Sequence, residues 1–568
     1  MNQMMNFSQI ETAFKQFVLA DVQTSMALGA TTHLALLADP SLEHMFERNN
    51  EAKALLLEIE QVQAADFNQR LDLDLMARSL KLDVFFNELE QHGQPQRCRQ
   101  PSGVDGISAG IFQLFVNDER DAHARLDDIL SRLLQAPAYL AVEAKVISEP
   151  IARWNGVEIE QGEGLPDLFQ TILNWAKQEN YHQQAELQQA VTACNESLAY
   201  YLNDLKTRKT LTDFAIGEDK LNELLAIRQI EMSASQLNQM AHDFMTETGA
   251  LLTQLSERLC KKYDLPADTR QADLQEYLNE RFAAKIKGGK LDSVLDYYYQ
   301  QIDSLNTFVS ERKLFELPAT QEMKIMQTPS FLEPVIPAGA MWPPLALREG
   351  KKTSLVYLTL KADQLAEHTE LGIPVMMIHE GIPGHHLQFA TAAQHASFIR
   401  RIYSANEHAE GWTTMLEDYM LDVGYIADEL IDEVRFIAKR DMSRLVARVG
   451  IDLYFMTANK KYLEVGLDLT FDSEDVFVNA AKLLKAATGF TDGRVQAELN
   501  WYSSEQSYPL SYLTGNRLVW QLKQDIQRDN KKELSPLELD QAFHKVYLES
   551  GCMPVENLRS VFEHEGYL

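Results

Sequence analysis

Cysteine is scarce in this chain of 568 residues: the four present, Cys98, Cys194, Cys260 and Cys552, lie far apart and form no CxxC pair. That argues against a disulfide framework and against a thiolate metal site, and leaves the four to pack as small hydrophobes. Long apolar runs are missing as well. No segment approaches the roughly 18 apolar residues that a membrane span requires. The opening MNQMMNFSQIETAFKQFVLA has neither a basic start nor an unbroken apolar stretch. From it we expect neither a secretory signal nor a lipoprotein leader, and a cytoplasmic address. The third shortage is positive charge. Lys and Arg number 53 against 83 Asp and Glu, a net charge of -30, so an extended phosphate backbone would meet repulsion rather than counterion-releasing lysines. Nucleic acid is not the expected partner, nor is a membrane.

What the chain has in quantity is helical periodicity. Apolar residues recur at three and four spacing in LDDILSRLLQ, DLFQTILNWAKQ, QLNQMAHDFMTETGALLTQLSERL and AAKLLKAATGF. Start and stop signals agree: Ser233 with Gln236 has capping-box spacing, Ser535-Pro536 with Glu538 supplies N-cap, first-turn proline and N3 carboxylate, and Gly424 follows EGWTTMLEDYMLDV as a stop. Only TSLVYLTL, 353–360, reads as strand, with its partner expected within 320–342. The proline-broken stretch KIMQTPSFLEPVIPAGAMWPP is the expected boundary between a mostly helical region, 1–320, and a C-terminal catalytic region, 321–568. The length fits two to four domains or one large multilobed helical body.

Chemistry concentrates in MMIHEGIPGHHLQ, 376–388. A helix is expected to start at Pro374 and to carry His379 on an apolar element. A zinc helix of the usual kind places two histidines four residues apart, about 6 Å along one face, so that both imidazoles reach one ion. Four residues after His379 stands Pro383. In an unbroken helix His386 would lie about 10 Å further along and His385 would point well round the cylinder. Pro383 and Gly384 predict a break instead, and the two-residue insertion brings His385 to the second ligand position. Glu380 then stands beside the metal water as a general base rather than as a ligand. A third ligand is needed, and the candidate is Glu410 in HAEGWTTMLEDYM, with Glu407, His408 and Glu417 as rivals.

These residues resemble a known family. HEGIPGHHLQ, followed by RRIYSANEHAEGW, is similar to the bacterial family catalogued as domain of unknown function 885, which is grouped with the gluzincin metallopeptidases. FAIGEDKLNELLAIRQIEMSASQL resembles its central helical segment, IPAGAMWPP with SLVYLTL its extended approach to the catalytic part, and SYPLSYLTG its C-terminal PGQAxxYKxG stretch. The likeness covers roughly residues 115–550. It implies a mainly α fold, a large multi-helix zincin-like body with a small β-sheet beside the active site. It also implies zinc held by His379, His385 and Glu410, with Glu380 as base, His386 behind the ligands or facing the substrate, and Tyr512 as a hydrogen-bond donor to the oxyanion. This chain departs from the pattern in lacking the PGQ and the lysine, and in having Asn500 where arginine is common.

Arg444 and Arg448, four residues apart in RLVARVGIDLYF, are candidates to clamp a substrate carboxylate, against the plainer reading that they pair with nearby acids. The function expected is a zinc-dependent peptidase acting on short peptides, with SLVYLTL as an exposed strand that could pair with the substrate backbone. Two other readings compete with it. One is a non-catalytic, peptide-binding helical scaffold with a structural metal. The other is an iron site that activates oxygen, for which the sequence lacks a clear second Glu-x-x-His.

Overall fold

The computed structural model describes residues 5–329, 333, 336, 339–361, 365 and 368–568 of the chain. Parts of the expected IPAGAMWPP approach, Pro337 and Ala338 among them, lie outside the described residues. Helix makes up 66% of the chain and the sheets are small, so the fold is mainly α as the periodicity implied. Two compact units are present: Met1–Ile216 with Pro329–Pro334, and Gly217–Thr328 with Val335–Leu568.

The first unit is built of long helices, including Leu42–Ile59, Phe67–Glu88, Ala122–Val146, Ala152–Gln178 and Gln184–Thr207. Its interior is tied by polar contacts as well as by apolar burial. Glu143, fully buried, pairs with Arg97, and buried Glu158 accepts from the Tyr201 hydroxyl and the Val104 N–H.

The second unit carries the histidine motif together with helices from Glu218 onward. Helix Ala234–Lys262 starts on the Ser233–Gln236 capping box read from the sequence and packs along helix Ile431–Thr457. The helix from Pro536 likewise starts on Ser535 with Glu538 at N3. In the sheet, Lys352–Leu358 lies between Gln321–Gln327, to which it is parallel, and Gly339–Trp342, to which it is antiparallel. SLVYLTL is therefore the central strand, buried at every residue of Lys352–Leu358, and not an exposed edge open to a substrate. Its near-continuous apolar run is the signature of a strand covered on both faces, which an alternating edge strand would lack.

The motif helix spans Gly372–Glu380. It begins two residues ahead of Pro374, which falls in the first turn, where its missing N–H would have had no partner anyway. The helix stops at Gly381, passes the cis peptide Ile382–Pro383, and a new helix runs His385–Ala392. Gly384 folds back onto the end of the first helix: a Cβ there would lie 1.9 Å from the His379 carbonyl oxygen and 2.2 Å from that of Ile378. Only glycine fits.

Two further helices complete the frame. Asn406–Asp422 and Ser511–Asp529 pack backbone to backbone where Gly411 meets Gly515. Beneath this contact Arg228 donates to the Ser507 carbonyl at 2.6 Å and to the Ser511 hydroxyl at 2.7 Å, and pairs with buried Glu407. Burial pushes the Glu407 carboxyl up, and Arg228 opposes that shift in favour of the ionised form. A Cβ on Gly515 would lie 2.2 Å from the Glu407 carbonyl oxygen. Gly515→Ala is expected to force the two helices apart and to destabilise the second unit by about 1–3 kcal/mol, read as a lowered denaturant midpoint; an unchanged midpoint would mean that the contact is not a constraint.

Candidate functional site

The break at 381–384 aims His385 back at His379. Their ring centroids are 4.9 Å apart, edge to face, and with Glu410 their ligand atoms all lie within 4.8 Å of one another. Glu410 comes from helix Asn406–Asp422. That helix is locked to the break by Trp412, whose Nε1 donates to the Pro383 carbonyl at 2.9 Å. Thus the tryptophan of the EGW sequence fixes the turn that delivers one ligand candidate, while the glutamate two residues before it is another candidate.

The hydrogen-bond pattern inside the cluster is what a cation needs. His379 Nδ1 meets Glu417 Oε1 at 2.8 Å, so the neutral ring donates there and leaves Nε2 as a lone pair. Glu410 Oε1 accepts from the Tyr508 hydroxyl at 2.7 Å. Its Oε2 is buried with no hydrogen-bond partner among the described residues and faces His379 Nε2 at 3.5 Å and His385 Nε2 at 3.3 Å. An orphaned buried carboxylate oxygen between two imidazole nitrogens is costly unless positive charge occupies the gap. Without a metal a proton fills that role. Burial opposes charging of His379, yet Glu410 and Glu417 outweigh it and push the imidazole up to about 10. Burial alone would raise Glu410, but His385 and His379 hold it below the usual carboxylate range. Two imidazoles and one carboxylate, with no thiolate, are a ligand set that suits a divalent ion.

Around the cluster lies a cavity of about 690 Å³, lined by residues that include His379, Glu380, Glu417 and Tyr512. Glu380 is half-buried, and its carboxylate makes no hydrogen bond or ion pair among the described residues. Tyr512 stacks loosely on His379, 6.4 Å between centroids, and burial with the nearby Glu410 keeps its hydroxyl protonated far above the ordinary range. Arg444 and Arg448 line the same cavity. Arg448 is engaged: it donates to Tyr502 at 2.9 Å and to Glu498 at 3.1 Å, and its guanidinium lies 4.3 Å from the Tyr512 ring centre. Burial would raise Glu498, but Arg448, Arg444 and Arg494 hold it at about 2.

The structure thus brings His379, His385, Glu410, Glu380, Tyr512, Arg444 and Arg448 to one region of the second unit. It does not bring His386 there. That side chain is fully buried against the sheet, bonded through Nδ1 to the Ser354 hydroxyl at 2.7 Å and through Nε2 to Gln321 at 2.5 Å. Of the rival ligands, Glu407 is spent on Arg228, His408 packs on the Tyr547 ring, and Glu417 orients His379 instead of joining the triad. Sequence reasoning missed Tyr508. The signal available was its place four residues before Tyr512 in SYPLSY, although its contact with Glu410 spans 98 positions.

The family described as "Bacterial protein of unknown function (DUF885)" matches residues 23–561. No curated protein matches the chain. Two solved structures share its fold: a candidate lipoprotein of unknown function from Shewanella oneidensis, with TM-score 0.74, 18% identity and coverage of 98% of this chain and 99% of that one, and another from Colwellia psychrerythraea, with TM-score 0.76, 16% identity and the same coverage. Among the described residues no helix is long and apolar enough to cross a membrane.

The geometry separates the two adjacent histidines by experiment. After incubation with zinc and desalting, His385→Ala is expected to retain less than about half an equivalent, because three protein ligands fall to two. His386→Ala is expected to keep its zinc and to lose about 1–3 kcal/mol of stability, because Ser354 and Gln321 are left without their buried partner. Zinc loss confined to the His386 variant would reverse the ligand assignment.

Proposed function

This chain belongs to the bacterial DUF885 family, whose function is unknown, and we propose that it is a zinc-dependent peptidase of gluzincin type that hydrolyses short peptides. The observation that carries this reading is the triad of His379, His385 and Glu410 with the uncommitted carboxylate of Glu380 next to it in the cavity wall. A site built only to hold a structural ion has no use for a free carboxylate at its open side.

Zinc bound by the triad would supply Lewis acidity, polarising a carbonyl and lowering the pKa of a water to about 7. The rest of the chemistry belongs to side chains. Glu380 takes a proton from the water that attacks the peptide carbon and returns it to the leaving nitrogen, so that one carboxylate serves as base and then as acid. Tyr512, held protonated, donates its hydroxyl to the oxygen that becomes negative. Glu417 keeps the His379 ring in one tautomer and orientation. Tyr508 holds the second oxygen of Glu410, so that the carboxylate cannot rotate away. A cavity of about 690 Å³ accommodates a short peptide and excludes a folded chain.

The test is Glu380→Gln assayed against a mixed library of short peptides. Zinc content is expected to be unchanged and cleavage to fall by about 100- to 10,000-fold, the range of a lost general base. Unchanged cleavage would remove Glu380 from the mechanism. If zinc-loaded wild-type protein cleaves nothing in the library, a peptide-binding scaffold with a structural metal becomes the better reading.

A further inference from the structure

Helix Ile431–Thr457 presents Arg440, Arg444 and Arg448 to the cavity. At four-residue spacing they form one row, about 6 Å apart along the axis. In a chain of net charge -30 such a row is conspicuous, and its members are not equally satisfied. Arg448, next to Tyr512, is neutralised by Glu498. Arg444 has one close partner among the described residues, Asp441 at 2.8 Å, with Glu498 at 3.9 Å, and its buried Nε makes no hydrogen bond to them. Arg440 makes a single hydrogen bond, from Nε to the Gln275 side chain at 3.3 Å, and no carboxylate lies within ion-pair distance among the described residues. Desolvation lowers its pKa, and no anion offsets the shift.

The other acids of the cavity do not cancel this charge. Asp441 is engaged with Arg444, Glu417 with His379, Glu380 makes no ion pair with an arginine among the described residues, and Glu276 and Glu280 are exposed. A guanidinium that opens into a half-enclosed cavity with its terminal N–H donors unused is matched by one chemical group above all, a carboxylate received through paired N–H···O bonds.

We infer that Arg440 and Arg444 bind the free C-terminal carboxylate of the substrate, so that the site acts on the ends of peptides and not within chains. Arg448, already committed to Glu498, serves to hold Tyr512 and does not clamp the substrate. The scissile bond lies toward the Tyr512 end of the row and the carboxylate away from it.

Carboxylate recognition rests on the peptidase reading only for the bond that is cut, and binding alone tests it. The probes are an N-acetylated tetrapeptide with a free C-terminus and the same peptide as its carboxamide, titrated calorimetrically into zinc-loaded Glu380→Gln. The acid is expected to bind at least about tenfold more tightly than the amide, as loss of a charge-assisted contact implies. Adding Arg440→Gln or Arg444→Gln should bring the acid to the level of the amide and leave the amide unmoved, while Arg444→Lys should recover part of the preference. Equal binding of acid and amide, or binding of neither at millimolar concentration, overturns the inference, and this comparison needs no arginine variant to fold. Turnover by wild-type protein separates the two ideas. Equal cleavage of both peptides leaves the peptidase and removes carboxylate recognition; selective binding without cleavage does the reverse.

Discussion

The contact of Gly411 with Gly515 is the constraint around which the second unit is arranged. Two helix backbones can meet so closely only where neither has a side chain, and both ends of that contact lead directly to chemistry. One residue before Gly411 stands Glu410; three residues before Gly515 stands Tyr512, and four residues earlier, ahead of the helix, Tyr508, which holds Glu410. Trp412, one residue after Gly411, reaches across to the Pro383 carbonyl and fixes the break that turns His385 toward His379. Glu410, the tyrosine that holds it and the turn are thus indexed from a single point of contact.

The cluster obeys a simple electrostatic economy. Glu410 and Glu417 lie inside the protein against His379 and His385, and negative charge at that depth is tolerable only if positive charge accompanies it. A few ångströms away the same problem recurs with different parts: Glu498 is buried among Arg448, Arg444 and Arg494. The two clusters meet at Tyr512, which lies by His379 on one side of the arrangement and by the Arg448 guanidinium on the other. Its position is thereby defined by both.

Much of this is legible in the sequence, and the reasons are physical. The spacing of His379, Pro383, Gly384 and His385 obeys helix geometry, so a break can be inferred from the requirement that two imidazoles converge. Capping boxes at Ser233 and Ser535 are local hydrogen-bond patterns and are readable as such. The small sheet is also foreseeable from β-branched residues, but not the order of its strands, which depends on pairing partners outside TSLVYLTL. For the same reason the place of His386 is not readable: it follows His385 by one residue, yet that single step turns it to a face covered by Ser354 and Gln321. The role of Glu417 as the partner of His379, and that of Tyr508 as the partner of Glu410, are contacts between segments 38 and 98 positions apart. No local pattern encodes them.

Arg228 carries a consequence for modularity. It is followed by about ninety residues, mostly helical, before the sheet begins, yet its guanidinium neutralises Glu407, one turn from a metal-ligand candidate, and bridges Ser507 and Ser511 at the start of the tyrosine helix. A gene fragment that begins at the sheet would encode every residue of the triad and still leave the buried Glu407 carboxyl without its partner. The histidine motif is therefore not a portable cassette, and the segment that carries Arg228 belongs to the same packed object.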